Sequence, residues 1–248
     1  ARPAQDRYQE DIRRRRRHAG LPVRAQRAAG RRRRRQREGR SQADGRGGLP
    51  GRLPEEEAAI QLLQRGDIGR PPNLVERDFR AGGPNELWLT DITEFKLPSE
   101  EKAYLSPVID CFDGLVVSWR IGRRPNAALA NGSLEDACRT LAPGQRPVCH
   151  SDRGCHYRWP GWIGICEGNG LVRSTSRKGC SPDNSACEGF FGRLKNEFFY
   201  HRDWSGVTME SFMELLDEYI RFYNERRKKQ SLGWMSPRQY RSSKGLVA

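Results

Sequence analysis

The chain has 248 residues, 35% hydrophobic and 31% charged, with a formal net charge of +14, a balance that suits one modest core and a solvated remainder. No run approaches the roughly 18 apolar residues of a membrane span, and the basic N-terminus lacks the apolar stretch of a secretory signal. Seven irregularly spaced cysteines fit reduced thiols in an intracellular protein.

The charge is unevenly placed. Residues 1–50 carry 17 Arg against 5 acids, a net of +12, whereas the other 198 residues carry 28 Lys and Arg against 26 acids, a net of +2. Two five-arginine runs, residues 13–17 and 31–35, stand among Gly, Ala and Gln with no apolar stripe able to build a core. Residues 1–53 therefore read as an Arg-rich, disordered segment, either a tail for a polyanion or a stretch without a role. Residues 54–84 read as a short helix after Pro54, with Glu55 to Glu57 in its first turn, and then an extended linker rich in Pro and Gly.

From Leu87 the pattern becomes regular. Residues 87–95 (LWLTDITEF) and 103–112 (AYLSPVIDCF) predict two strands, and the turn Asp113-Gly114 leads to a third over 115–121. Short connections make these an antiparallel meander. Residues 126–141 predict a helix, 147–152 (PVCHSD) a strand, 159–167 a helix and 171–175 a fifth strand. Residues 185–200 and 208–223 predict two more helices, the latter with one apolar stripe of Met209, Phe212, Met213, Leu216, Tyr219, Ile220 and Tyr223. The order β-β-β-α-β-α-β-α-α implies an α/β fold, a mixed five-stranded sheet flanked by helices of the ribonuclease-H-like kind.

Three acids occupy places an ordinary fold does not require. Asp91 lies in mid-strand, where Asp is a poor former; Asp152 closes the PVCHSD strand; Glu188 lies in the first turn of the helix from Ser185. Each has a structural explanation: a solvent-facing strand residue, a turn starter before Arg153-Gly154, and a Ser185-x-x-Glu188 capping box. Taken together they fit a metal site. Hard Mg²⁺ or Mn²⁺ prefers carboxylate oxygens, and two ions about 3.5–4 Å apart clamp the attacking and leaving oxygens of a phosphoryl displacement. Lys195, seven residues after Glu188, falls on the same helix face roughly 10 Å along the axis, where it can grip a phosphate backbone or remain a solvated lysine. Asn184 precedes Glu188 by four and is a weaker candidate for the same task.

Secondary signals point less sharply. Cys149-His150 and Cys155-His156 lack the paired spacing of a zinc site, so they read as buried thiols and histidines that either pack or touch a phosphate. Arg226 and Arg227, in the basic run 226–229, suit either a DNA backbone or a helix C-terminus. Trp159, Trp162 and Trp234 read as core residues before they read as stacking platforms.

Asp91, Asp152 and Glu188, with 35 residues between the last two, and Lys195 seven residues on, resemble the D,D(35)E signature of integrases and bacterial transposases. The segments PNELWLTDITEF, YLSPVIDCFDG, HSDRGCHY, SRKGCSPDNSACEGFFGRLKNE and YNERRKKQSLGWMSP are similar to the IS-three family of insertion-sequence transposases. The resemblance covers residues 72–240, about two thirds of the chain. It implies an integrase-like catalytic core over 85–240, followed by a tail over 241–248. It also implies a DDE transposase that uses two Mg²⁺ or Mn²⁺ ions on Asp91, Asp152 and Glu188, with Lys195, Asn184, Arg226 and Arg227 on DNA. The expected activity is cleavage at transposon ends and strand transfer into target DNA, by a homo-multimer in the bacterial cytoplasm, associated with the nucleoid. Members of the family carry a helical DNA-binding region before the core. Residues 1–50 show no helix-turn-helix spacing, as after a truncation or a change of frame, so a separate helix-turn-helix partner protein is a further expectation. Two rival readings are a ribonuclease-H-like nuclease that cuts without joining, and a non-catalytic DNA-binding remnant.

Overall fold

The computed structural model describes residues 71–177 and 181–246. The arginine-rich segment and the helix expected after Pro54 lie outside them. The elements follow in the order β1 (Leu87–Thr90), β2 (Thr93–Lys96), β3 (Lys102–Asp110), β4 (Val116–Gly122), α1 (Ala127–Cys138), β5 (Val148–Ser151), α2 (Pro160–Gly168), β6 (Val172–Thr175), α3 (Ser185–Leu194), α4 (Met209–Glu225) and α5 (Pro237–Ser243). A π-helical turn, Lys195–Phe199, extends α3.

The expected mixed sheet is present. β3 pairs antiparallel with β1, β2 and β4, while β5 runs parallel to both β1 and β6. The strand expected over 87–95 is broken at Asp91-Ile92, yet β1 and β2 keep one register on β3, with Thr90 opposite Val108 and Thr93 opposite Leu105. The register places Asp91 opposite Pro107. The Cys111 N–H donates to the Leu87 carbonyl, so the two-residue alternation aims the nitrogen of Pro107 the same way, at Asp91. Proline has no hydrogen to give there. The ladder loses a rung at the residue that carries the carboxylate.

Alternation also sorts the two faces. Trp88 joins Val108, Ala130, Leu134 and Trp162 under α1 and α2, whereas Phe95, Leu105 and Ile109 meet Phe190, Leu194, Phe198, Phe212 and Ile220 under α3 and α4. Odd-numbered residues of β1 and β2 face α3, and Asp91, between the two strands, continues that alternation. Caps define the helix ends: Asn126 and Thr208 accept N–H bonds at the starts of α1 and α4. Ser236 and Gln239 close a capping box on α5, a short helix not foreseen from the apolar pattern.

At the other end of β1, α5 closes a buried ionic cluster. Arg241 donates to Asp110 at 2.7 Å and to Asp113 at 2.7 Å, and Asp110 also accepts the N–H groups of Asn85 and Phe112.

Candidate active site

The parallel pairing of β1 with β5 sets Thr90 against Ser151. One step further, past the last rung, the same register brings Asp91 beside Asp152. Asp91 accepts the N–H of Ile92 at 2.7 Å and the Nδ2 of Asn184 at 3.1 Å, and Asp152 accepts the N–H of Gly154 at 2.8 Å. Burial, and then the charge of Asp152, push the Asp91 carboxyl up to about 7, with Glu188 adding to the rise. Two half-buried carboxylates placed together, with no cationic side chain between them among the described residues, favour a proton or a metal ion.

Glu188 stands exposed in the first turn of α3. The capping box that Ser185 would form with it is absent, because Asn184 is the helix N-cap and Ser185 is already helical. Asn184 itself makes no side-chain cap bond. It gives its amide to Asp91 instead, and its buried Oδ1 has no partner. An N-cap residue that leaves its helix uncapped forgoes roughly 0.5–2 kcal/mol, a sign that its side chain serves another end. Among the described residues no three His, Cys, Asp or Glu side chains are close enough together to hold an ion as they stand. The acids gather as a pair with Glu188 nearby. That pair, its raised carboxyl and the orphaned Asn184 oxygen fit a hard divalent cation.

The other expected residues fall further out. Lys195 follows α3, half-buried, its ammonium 5.4 Å above the Phe95 ring; burial lowers its pKa. Arg227 is largely enclosed and paired with Glu197, which also accepts the hydroxyl of Tyr219 at 2.8 Å. Arg226 is exposed, beside the ring of Phe222. Trp162 is buried and Trp234 is 62% exposed. His150 packs inside: its Nε2 lies 3.0 Å from the Asp183 carbonyl and its Nδ1 2.9 Å from Ser174 Oγ. Asp183, absent from the sequence-based candidates, is fully enclosed and gathers Asn73, Arg77 and Arg177. Its partners lie up to 110 residues away, so no local motif announces it.

An integrase core domain model matches residues 81–181, and a second integrase core domain model matches residues 188–244. An uncharacterized transposase-like protein of Haemophilus influenzae is 41% identical over 179 residues, covering 72% of this chain and 81% of that one. The transposase InsF for insertion sequence IS3A of Escherichia coli is 33% identical over 169 residues, 68% of this chain and 58% of that one. The chain belongs to the IS-three family of transposases. A protein of Shigella flexneri named "Probable transposase for insertion sequence element IS1353" is 58% identical over 177 residues, 71% of this chain. The match spans 34% of that relative's length. Among the described residues no helix is long and apolar enough to cross a membrane.

Proposed function

We propose that this transposase core cuts DNA at the ends of its element and joins the freed strand to a target. The observation that carries the reading is the half-buried Asp91–Asp152 pair, set side by side where the parallel strands end and lacking a basic partner among the described residues. Asp91 and Asp152 would hold the cation on the sheet, and Glu188 would supply the third carboxylate from α3. When bound, two divalent ions would activate water or a 3′-hydroxyl and offset charge on the leaving oxygen.

The residues around them have separable tasks. Asn184 orients the Asp91 carboxylate through its amide, and the N–H of Ile92 fixes the other oxygen. Lys195, on the continuation of α3, would take a DNA phosphate beyond the scissile bond; exposed Arg226 would add charge to the same backbone. Arg227 spends its guanidinium on Glu197 and would act by shaping the end of α4. As in paired-end recombination generally, the active form would be a homo-multimer on DNA, and a helix-turn-helix partner would contribute end recognition.

The test is a labelled duplex carrying the element's ends, incubated with Mg²⁺ or Mn²⁺ beside a Glu188→Gln control. Metal-dependent cleavage and joined product, both lost in the control, support the proposal. Nicking without joining would convert it to a nuclease, and DNA binding without any cleavage would leave only a binding remnant.

A further inference from the structure

Residues 71–77 read in the sequence as linker, but they are tied to the core along its edge. The Thr175 N–H and hydroxyl donate to the carbonyls of Pro72 and Pro71, at 3.2 and 2.7 Å, and the Leu74 N–H donates to Ser174 Oγ at 2.9 Å. The segment thus covers the free edge of β6 and then turns sharply. Asn73 Oδ1 accepts the N–H groups of Val75 and Glu76, and Glu76 and Arg77 both take left-handed backbone conformations, with φ of 49° and 71°. Two consecutive non-glycine residues there are strained and persist only when their surroundings hold them.

What holds them is Asp183. Its carboxylate accepts Asn73 Nδ2 at 2.9 Å and Arg77 Nε at 2.8 Å, together with the N–H and Nε of Arg177 at 3.0 and 3.2 Å. Arg77 first, and then the Arg177 N–H, hold this carboxyl well below the usual carboxylate range. A second path reaches the same residue. The Ser174 hydroxyl, already accepting from Leu74, donates to His150 Nδ1, which leaves Nε2–H to donate to the Asp183 carbonyl. Burial lowers the His150 pKa and favours the neutral ring this arrangement requires. Asp183 is therefore gripped at both its side chain and its main chain. The next residue, Asn184, holds Asp91, and Glu188 follows one turn later on α3.

We propose that Asp183 is a positioning residue, clamped by the strap of residues 71–77 through Asn73 and Arg77, and that this clamp sets where Asn184 and Glu188 stand relative to Asp91. It touches no reacting atom. Because the proposal rests on the proposed DNA chemistry, its test carries a reading independent of turnover.

Single-turnover cleavage is compared in wild type, Asp183→Asn, Arg77→Gln and the double variant, with DNA affinity and melting temperature recorded. Amide hydrogen exchange is followed at Arg177 and over residues 183–188. The expected result is a rate loss of tenfold or more in each single variant, with no further loss in the double. DNA affinity should stay within about twofold, and Arg77→Lys should restore little, since lysine lacks the fork of arginine. Exchange at 183–188 should rise in both single variants while the sheet remains protected. Wild-type rates in both singles, additive losses, or a loss that simply follows melting temperature would overturn the clamp. If wild type itself proves inactive, the functional reading fails, and the exchange data alone decide: unchanged exchange at 183–188 sinks the clamp, and increased exchange upholds it. Should Asp183→Asn not fold, Arg77→Gln, at a side chain 50% exposed, carries the comparison.

Discussion

Two aspartate pairs, one buried and one half-buried, mark opposite ends of the same strand. Asp110 and Asp113, by the start of β1, close on Arg241 and on backbone N–H groups. Asp91 and Asp152, past its end, have each other, one amide side chain and two backbone N–H groups. Burial raises the pKa of both Asp91 and Asp110, although Asp110 and Asp113 are buried and Asp91 and Asp152 only half-buried. Partnership separates the pairs further. The first cluster is complete without a ligand and holds α5 to the sheet, whereas the second retains negative charge that only a proton or a cation can answer.

The sharpest way to test this contrast is to remove one charged side chain from each end. Asp152→Asn should lower metal-dependent cleavage at least about a thousandfold, near 4 kcal/mol of barrier, with the fold intact by circular dichroism. Arg241→Met attacks the satisfied end and should do the reverse. Leaving two buried acids unpaired costs about 3–5 kcal/mol, a fall in melting temperature of roughly 6–20 °C for a domain of this size, readable by calorimetry.

A smaller effect separates the pairs by pH. The folded carboxyl of Asp91 lies near 7, above its ordinary 3.8, so the native state binds the extra proton and stability falls as pH rises between those values. Above about pH 7 the penalty is fully present; below about pH 4 it is gone. Asp91→Asn should therefore raise the metal-free melting temperature at pH 8, by roughly 2–4 °C per kcal/mol, and have little effect at pH 4. Excess Mg²⁺ should stabilise wild type and erase the gap. A destabilised variant at pH 8 would mean that Asp91 is a structural acid like Asp110.

The smallest effect belongs to the surface. Arg120→Ala removes an exposed pair with Asp136 and should shift stability by no more than about 1 kcal/mol, which makes it the control for charge loss as such.

Much of this was legible in the residues. Periodicity located the strands and most helices because each buries one face, and the three acids stood out because strands and caps do not call for them there. Non-local causes stayed hidden. The break in the first strand comes from Pro107 on its neighbour, and the Pro-rich stretch before the core gives no sign of Ser174 or Asp183 about 100 residues away. Helix α5 is too short for an apolar stripe, though Ser236-Pro237-Arg238-Gln239 announced its start. Glu188 was noticed, but the capping box offered as its alternative fails for a local reason: the helix begins one residue earlier than that box requires.

The missing rung at Pro107 has a consequence for anyone who would graft this site onto another scaffold. Three carboxylates copied onto an unbroken sheet would meet a ladder that keeps its strands zipped past the point where Asp91 must turn. The graft would need its proline too, planted on a strand that carries none of the acids. Restoring a hydrogen-bond donor at that position in the native chain, by contrast, would tidy the sheet at the expense of the opening on which the proposed chemistry would depend.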